Sequence, residues 1–120
     1  SCKNVLDLSL EKLPIAKFDH YSLSIDYPEI YYKLGKQEKA REAAKTLIKL
    51  FKDKLVWFST FSVTDFDLIF DDFDVTFRYL YKGVIDQVLE FDTDEDFRKT
   101  LQDDFNKTLS LFNHIIPEEN

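Results

Sequence analysis

Residues 31–47, YYKLGKQEKAREAAKTL, constrain this chain more than any other stretch. Two tyrosines close a short apolar segment, Gly35 interrupts it, and a run of strong helix formers begins at once. Glycine reaches the left-handed conformation that ends many helices, so Gly35 is the natural turn between two of them. Beyond it Ala40, Ala43, Ala44 and Leu47 recur on one helical face. Side chains that small let a second helix lie close against the first. The stretch predicts a helical hairpin, which is a statement about packing and carries no chemistry.

Nothing elsewhere asks for strands. Two Gly and three Pro leave few chain reversals in 120 residues, whereas a β-sandwich needs a turn signal roughly every 8–12 residues. Twelve Phe supply ample material for one core. The spacing predicts a single all-α domain of five helices, near residues 2–13, 28–34, 37–58, 65–91 and 93–115. Pro14 ends the first, and residues 15–27 connect it to the second, with Pro28 suited to that helix's first turn. The third carries its buried stripe on Ala40, Ala44, Leu47, Phe51, Leu55 and Phe58, widened by Ala43, Ile48 and Leu50. Thr64 with Asp67, and Thr93 with Asp96, resemble the opening caps of the last two helices. Gly83 falls inside the fourth and is expected at a close crossing or a kink.

Charge excludes some partners. A net charge of -7 disfavours nucleic-acid backbones and anionic membrane surfaces. One cysteine permits no intrachain disulfide. No run reaches the ~18 apolar residues of a membrane span. Methionine is absent, which suggests a processed or excised piece of a longer chain. The distribution is uneven: residues 36–54 hold seven bases against three acids, while residues 65–96 hold nine Asp and two Glu against Arg78 and Lys82. The economical expectation is that the basic helix and the acidic helix after it pack antiparallel, with complementary flanks setting their register.

Catalytic signatures are missing. There is no Gly-flanked serine elbow, no Cys–His pair at recognisable spacing, no zinc-helix motif and no phosphate-cradling loop. Asp92, Asp94 and Asp96 alternate like the start of a calcium loop, with Asp103 at its twelfth position. Phe97 stands where that loop needs glycine, however, and no bidentate Glu closes it. Helix-capping duty explains the same acids, so no metal or cofactor is expected. A lone His20 reads as a surface or packing residue. The candidates left for partner binding are the tyrosines near the turn (Tyr27, Tyr31 and Tyr32, with Tyr21 and Trp57 as further aromatics) and the basic face at Lys39 and Lys45. Gly35, Ala40, Ala44 and Leu47 are the structural residues of the hairpin.

Those four residues and Tyr31 stand where a tetratricopeptide (TPR) hairpin places its inter-helix tyrosine, turn glycine and packing alanines, so the stretch resembles half of one such repeat. Pro28 departs from that pattern, and a lone repeat needs the later helices as its cover. More widely, VLDLSLEKLP, a connector, the 31–47 stretch and a long aromatic helix pair are similar to the soluble C-terminal region of a bacterial membrane-protein family. Those are large multi-spanning proteins with an N-terminal part similar to protein O-mannosyltransferases. The resemblance implies a non-catalytic accessory domain on the extracytoplasmic, periplasmic face. It would bind a protein substrate or partner subunit and touch the membrane only through parent segments outside this sequence. The alternative is a small ligand- or glycan-binding helical domain, or a free-standing cell-envelope lipoprotein lipidated at Cys2.

Overall fold

The computed structural model describes residues 25–115. The expected helix at 2–13, with Cys2, and the connector positions His20 and Tyr21 lie outside the described residues. Within them every regular element is a helix, and there is no strand.

Helix α1 (Tyr27–Lys33) begins with Pro28 in its first turn, where a missing N–H costs nothing. Gly35 ends it at φ 75°, the one positive φ among the described residues. The Gly35 N–H donates to the Tyr32 carbonyl at 3.0 Å and the Lys36 N–H to the Tyr31 carbonyl at 2.9 Å. This pair of bonds is the Schellman motif, which satisfies carbonyls that the helix end would orphan. The chain then reverses into α2 (Gln37–Ser59), which buries Ala40, Ala44, Leu47, Phe51, Leu55 and Phe58 as expected, with Ala43 and Ile48 beside them, while Leu50 is only partly buried. The alanines divide their work. Ala40 and Ala43 pack with Tyr31 of α1, and Ala44 joins the main core with the later aromatic helices.

The helix expected over 65–91 is two pieces. α3 (Val63–Leu68) is capped by Ser62, whose hydroxyl accepts from the Asp65 N–H at 3.1 Å, so the cap falls two residues before Thr64. Ile69, at φ −112° and ψ 13°, ends α3 and breaks the helix. The break has a cause in packing. In a straight helix Phe66 and Phe73 are about 10 Å apart along the axis, but their rings meet at 4.9 Å, and both reach Phe112.

After the break, residues 70–91 run on as α4 (Phe70–Asp74), a π-helical segment (Val75–Tyr81) and α5 (Lys82–Phe91). The buried residues here lie in two rows, Phe73, Phe77, Tyr81, Ile85 and Thr76, Leu80, Val84, Val88, each advancing by four. An α-helix turns in about 3.6 residues, so each step of four overshoots by about 40°. The wider π turn absorbs that overshoot and keeps both rows on the core. Gly83 has nothing within 4 Å of where a Cβ would stand, so the expected close crossing is not there.

α6 (Glu95–Ser110) is capped by Asp94 rather than Thr93. Its carboxylate accepts from the Asp96 and Phe97 N–H groups at 3.0 and 3.2 Å. The helix ends earlier than expected, and turns carry residues 111–115, placing Phe112 in the core. The expected charge register between α2 and the helix starting at Asp65 is also corrected. From α2, Arg41 reaches Asp92, before α6, and Lys52 reaches Asp104, on α6. The core contacts explain this: Phe51, Leu55 and Phe58 turn the apolar side of α2 to the 66–88 aromatics. The lysines are left at the edge that α6 borders.

Candidate functional site

The two ends of α2 offer the candidate surfaces. At its first turn stand the tyrosines singled out from the sequence, and the structure uses them internally. Tyr31 is 0% exposed, so its ring cannot be offered to a partner. Tyr27 and Tyr32 are partly buried against it. The Tyr32 ring stacks on Phe91 with centroids 6.1 Å apart, and its hydroxyl donates to Asp92 Oδ2 at 2.5 Å. Arg41, one of the seven bases of residues 36–54, grips the same carboxylate with Nε and Nη2, both at 2.8 Å. The Asp94 N–H adds a bond at 2.9 Å. The Asp92 side chain is 0% exposed, so these donors replace all its water.

The electrostatics follow from that geometry. The Arg41 hydrogen bonds first, then Tyr32 and the Asp94 N–H, hold Asp92 down at about 2 against the opposing effect of burial. Burial, then the bond to Asp92, pushes the Tyr32 hydroxyl above its ordinary range, and the Arg41 guanidinium is raised mainly by its bond to Asp92. These shifts keep Asp92 charged and the Tyr32 hydroxyl protonated, the two forms that the bonds between them require. Next to it, Gln87 joins α1 to α5. Its Oε1 accepts from the Glu29 N–H at 2.9 Å and its Nε2 donates to the Ile25 carbonyl at 2.5 Å. Arg98 closes the loop before α6 by donating to the carbonyls of Leu89 and Asp92. This end of the molecule is a clasp.

A second polar cluster, not foreseen from the sequence, ties α2 and the π segment to α6. The Tyr81 hydroxyl bonds Asp104 at 2.7 Å and Thr108 at 3.0 Å, and Lys52 pairs with the same Asp104. Burial raises the Tyr81 hydroxyl, as with Tyr32. Of the remaining candidates, Lys39 is partly buried, while Lys45 is exposed with Nζ 5.4 Å from the Phe97 ring centroid. Asp92 and Asp94, which alternate like the start of a calcium loop, are committed to Arg41 and to the α6 cap. Among the described residues no three His, Cys, Asp or Glu side chains are grouped to hold a metal. An open groove of about 700 Å³ lies between α5 and α6, with Ile85, Leu89 and Phe105 at its floor and Lys82, Asp86 and Lys99 at its rim.

The other end of α2 is the opposite of a clasp. Trp57 is 57% exposed, Val63 62%, Leu68 83% and Tyr79 60%, and Phe70 and Val75 are also exposed. These apolar side chains alternate with Asp65, Asp67, Asp71 and Asp72, all exposed. The sequence did hold a signal for this surface. Val63, Leu68 and Val75 are apolar yet out of phase with the buried series 66, 73 and 77. Such a concentration on a small domain marks an interaction surface more often than scattered single residues do.

No helix among the described residues is long and apolar enough to cross a membrane. The chain matches no protein-family profile, and neither a curated protein nor a solved structure matches it.

Proposed function

We propose that this is a non-catalytic, TPR-like protein-interaction domain, serving as an accessory part of a membrane glycosyltransferase-like protein on its periplasmic face. The hairpin supports the TPR likeness: a glycine turn, with the tyrosine before it packed on Ala40 and Ala43. The observation that carries the interaction reading is the row of exposed apolar side chains from Trp57 to Tyr79. The contact surface is therefore at the far end of α2 from the tyrosines of the turn. Site-specific photo-crosslinking tests it in the parent cell. A crosslinker at position 68 should give one discrete protein adduct, and a crosslinker at the exposed position 38 should give none. Equal labelling from both positions, or none from 68, refutes the reading. A parent reading frame with many hydrophobic spans would support the membrane context, and a lipoprotein signal ahead of Cys2 would replace it.

The groove between α5 and α6 favours a second reading, a small ligand- or glycan-binding domain, because its size suits a compact ligand and its floor is apolar with polar groups at the rim. Titration with neutral oligosaccharides separates the two readings, since saturable binding lost in Phe105→Ala belongs to the second alone.

A further inference from the structure

We propose that the exposed end of the domain docks a cationic amphipathic helix of a partner protein. The proposal rests on the interaction reading above and names the chemistry of the partner. Two features of the segment from residue 57 to residue 72 carry it. The first is apolar: Trp57, Val63, Leu68 and Phe70 leave 44–83% of their surface exposed. The second is electrostatic. From residue 55 to residue 77 the chain holds five Asp and neither Lys nor Arg. Asp74 pairs with Arg78 at 2.8 Å, while Asp65, Asp67, Asp71 and Asp72 make no ion pair among the described residues.

Each of these acids is a sequence neighbour of the exposed apolar residues or one position removed, so charge and apolar surface are interleaved. An occupant must therefore bring apolar side chains in a stripe flanked by positive charge. A helix with apolar residues at i, i+3, i+4 and i+7 and Lys or Arg beside them has that form. The same collar opposes the competing occupants. A second copy docking through the same face would set aspartates against aspartates, and an anionic lipid surface would meet them too. Position supports the assignment further, because α2 is 23 residues long, so this end stands about 34 Å from the hairpin turn. Docking there leaves the Asp92 clasp untouched.

The test uses the intact 120-residue chain and three amphipathic helical peptides of equal length, with leucine stripes and Lys, Gln or Glu on the polar face. The Leu/Lys peptide should bind at least about tenfold more tightly than the Leu/Gln peptide at low salt, and high salt should shrink that difference. Leu68→Ser should weaken both peptides about tenfold while circular dichroism shows the fold intact. Replacing Asp65, Asp67, Asp71 and Asp72 by Asn should abolish the discrimination and spare the Leu/Gln affinity. The same exchange of acids at the α5–α6 groove (Asp86, Asp96 and Asp103 to Asn) should leave discrimination unchanged.

Equal affinity for the Lys and Gln peptides overturns the cationic assignment while the apolar docking surface stands. Binding that Leu68→Ser does not weaken, or no binding by any peptide, overturns the docking surface itself. Concentration-dependent dimerisation abolished by Leu68→Ser makes a second copy the occupant, and partition onto phosphatidylglycerol vesicles makes it a membrane. Either result overturns the proposal.

Discussion

The two ends of α2 are built from similar residues and put them to opposite uses. At the first turn, aromatic rings and charges are drawn inward: Tyr31 is buried, and Tyr32, Arg41 and Asp92 satisfy one another. Beyond the last turn, Trp57, Val63, Leu68 and Phe70 keep much of their surface in solvent, and Asp65, Asp67, Asp71 and Asp72 are exposed between or beside them. The difference teaches where a small helical domain spends its polar contacts. A buried carboxylate is tolerable only when donors replace its water, so the clasp must be complete to exist. An exposed apolar surface carries no such demand, and is free to wait for a partner.

The largest expected effect is at the clasp. Arg41→Ala leaves Asp92 buried with its main counter-charge gone, and should cost about 3 kcal/mol in urea-induced unfolding. The comparison fails if that variant is as stable as the parent chain, since Asp92 would then be solvated. The acid limb of stability gives a second measure. Asp92 lies at about 2 in the folded chain against an ordinary 3.8. A lowered carboxylate stabilises the fold fully above its unfolded value, and the contribution is lost as the pH falls from about 4 through about 2. The loss should be about 2 kcal/mol, and Arg41→Ala should shrink it.

Much of the scaffold was legible before the structure, and the reasons are local. The stripe on α2 and the turn at Gly35 depend on side-chain period and on one backbone conformation, both written within a few residues of each other. What stayed illegible depends on where distant segments arrive. Arg41 and Asp92 are 51 positions apart, and neither residue type in its local context announces the other. The cap positions slipped by one or two residues, from Thr64 to Ser62 and from Thr93 to Asp94, because neighbouring polar residues are equally able and tertiary packing decides where the helix begins. The break at Ile69 and the π segment are likewise consequences of aromatic rings meeting Phe112 and of rows that step by four. An aromatic cluster looks the same on a face and in a clasp, so the sequence alone leaves Tyr31 and Tyr32 as candidates, and the burial of the one and the hydroxyl bond of the other place them in the clasp.

The middle of the molecule offers an intermediate case. Tyr81→Phe keeps the ring, which stacks on Phe105 at 6.0 Å, and deletes only the hydroxyl shared by Asp104 and Thr108. Lys52 still serves Asp104, so the expected loss is about 1 kcal/mol by thermal or urea unfolding. A loss as large as that of Arg41→Ala would mean that this second polar cluster is as closed as the clasp.

The smallest expected effect carries the most information about the other end. Leu68 is 83% exposed, so Leu68→Ser removes almost no buried area and should change unfolding free energy by no more than about 0.5 kcal/mol. Its neighbour Phe66, two residues away in the same short helix, is buried among Phe73 and Phe112, and Phe66→Ala should cost several times as much. The pair isolates exposure from location, because both residues belong to α3 and share its cap. If the two substitutions destabilise alike, Leu68 is part of the core in solution and the contrast between the two ends of α2 disappears. If only Phe66 matters, the apolar surface is retained for something other than folding, since substituting serine there would otherwise be free.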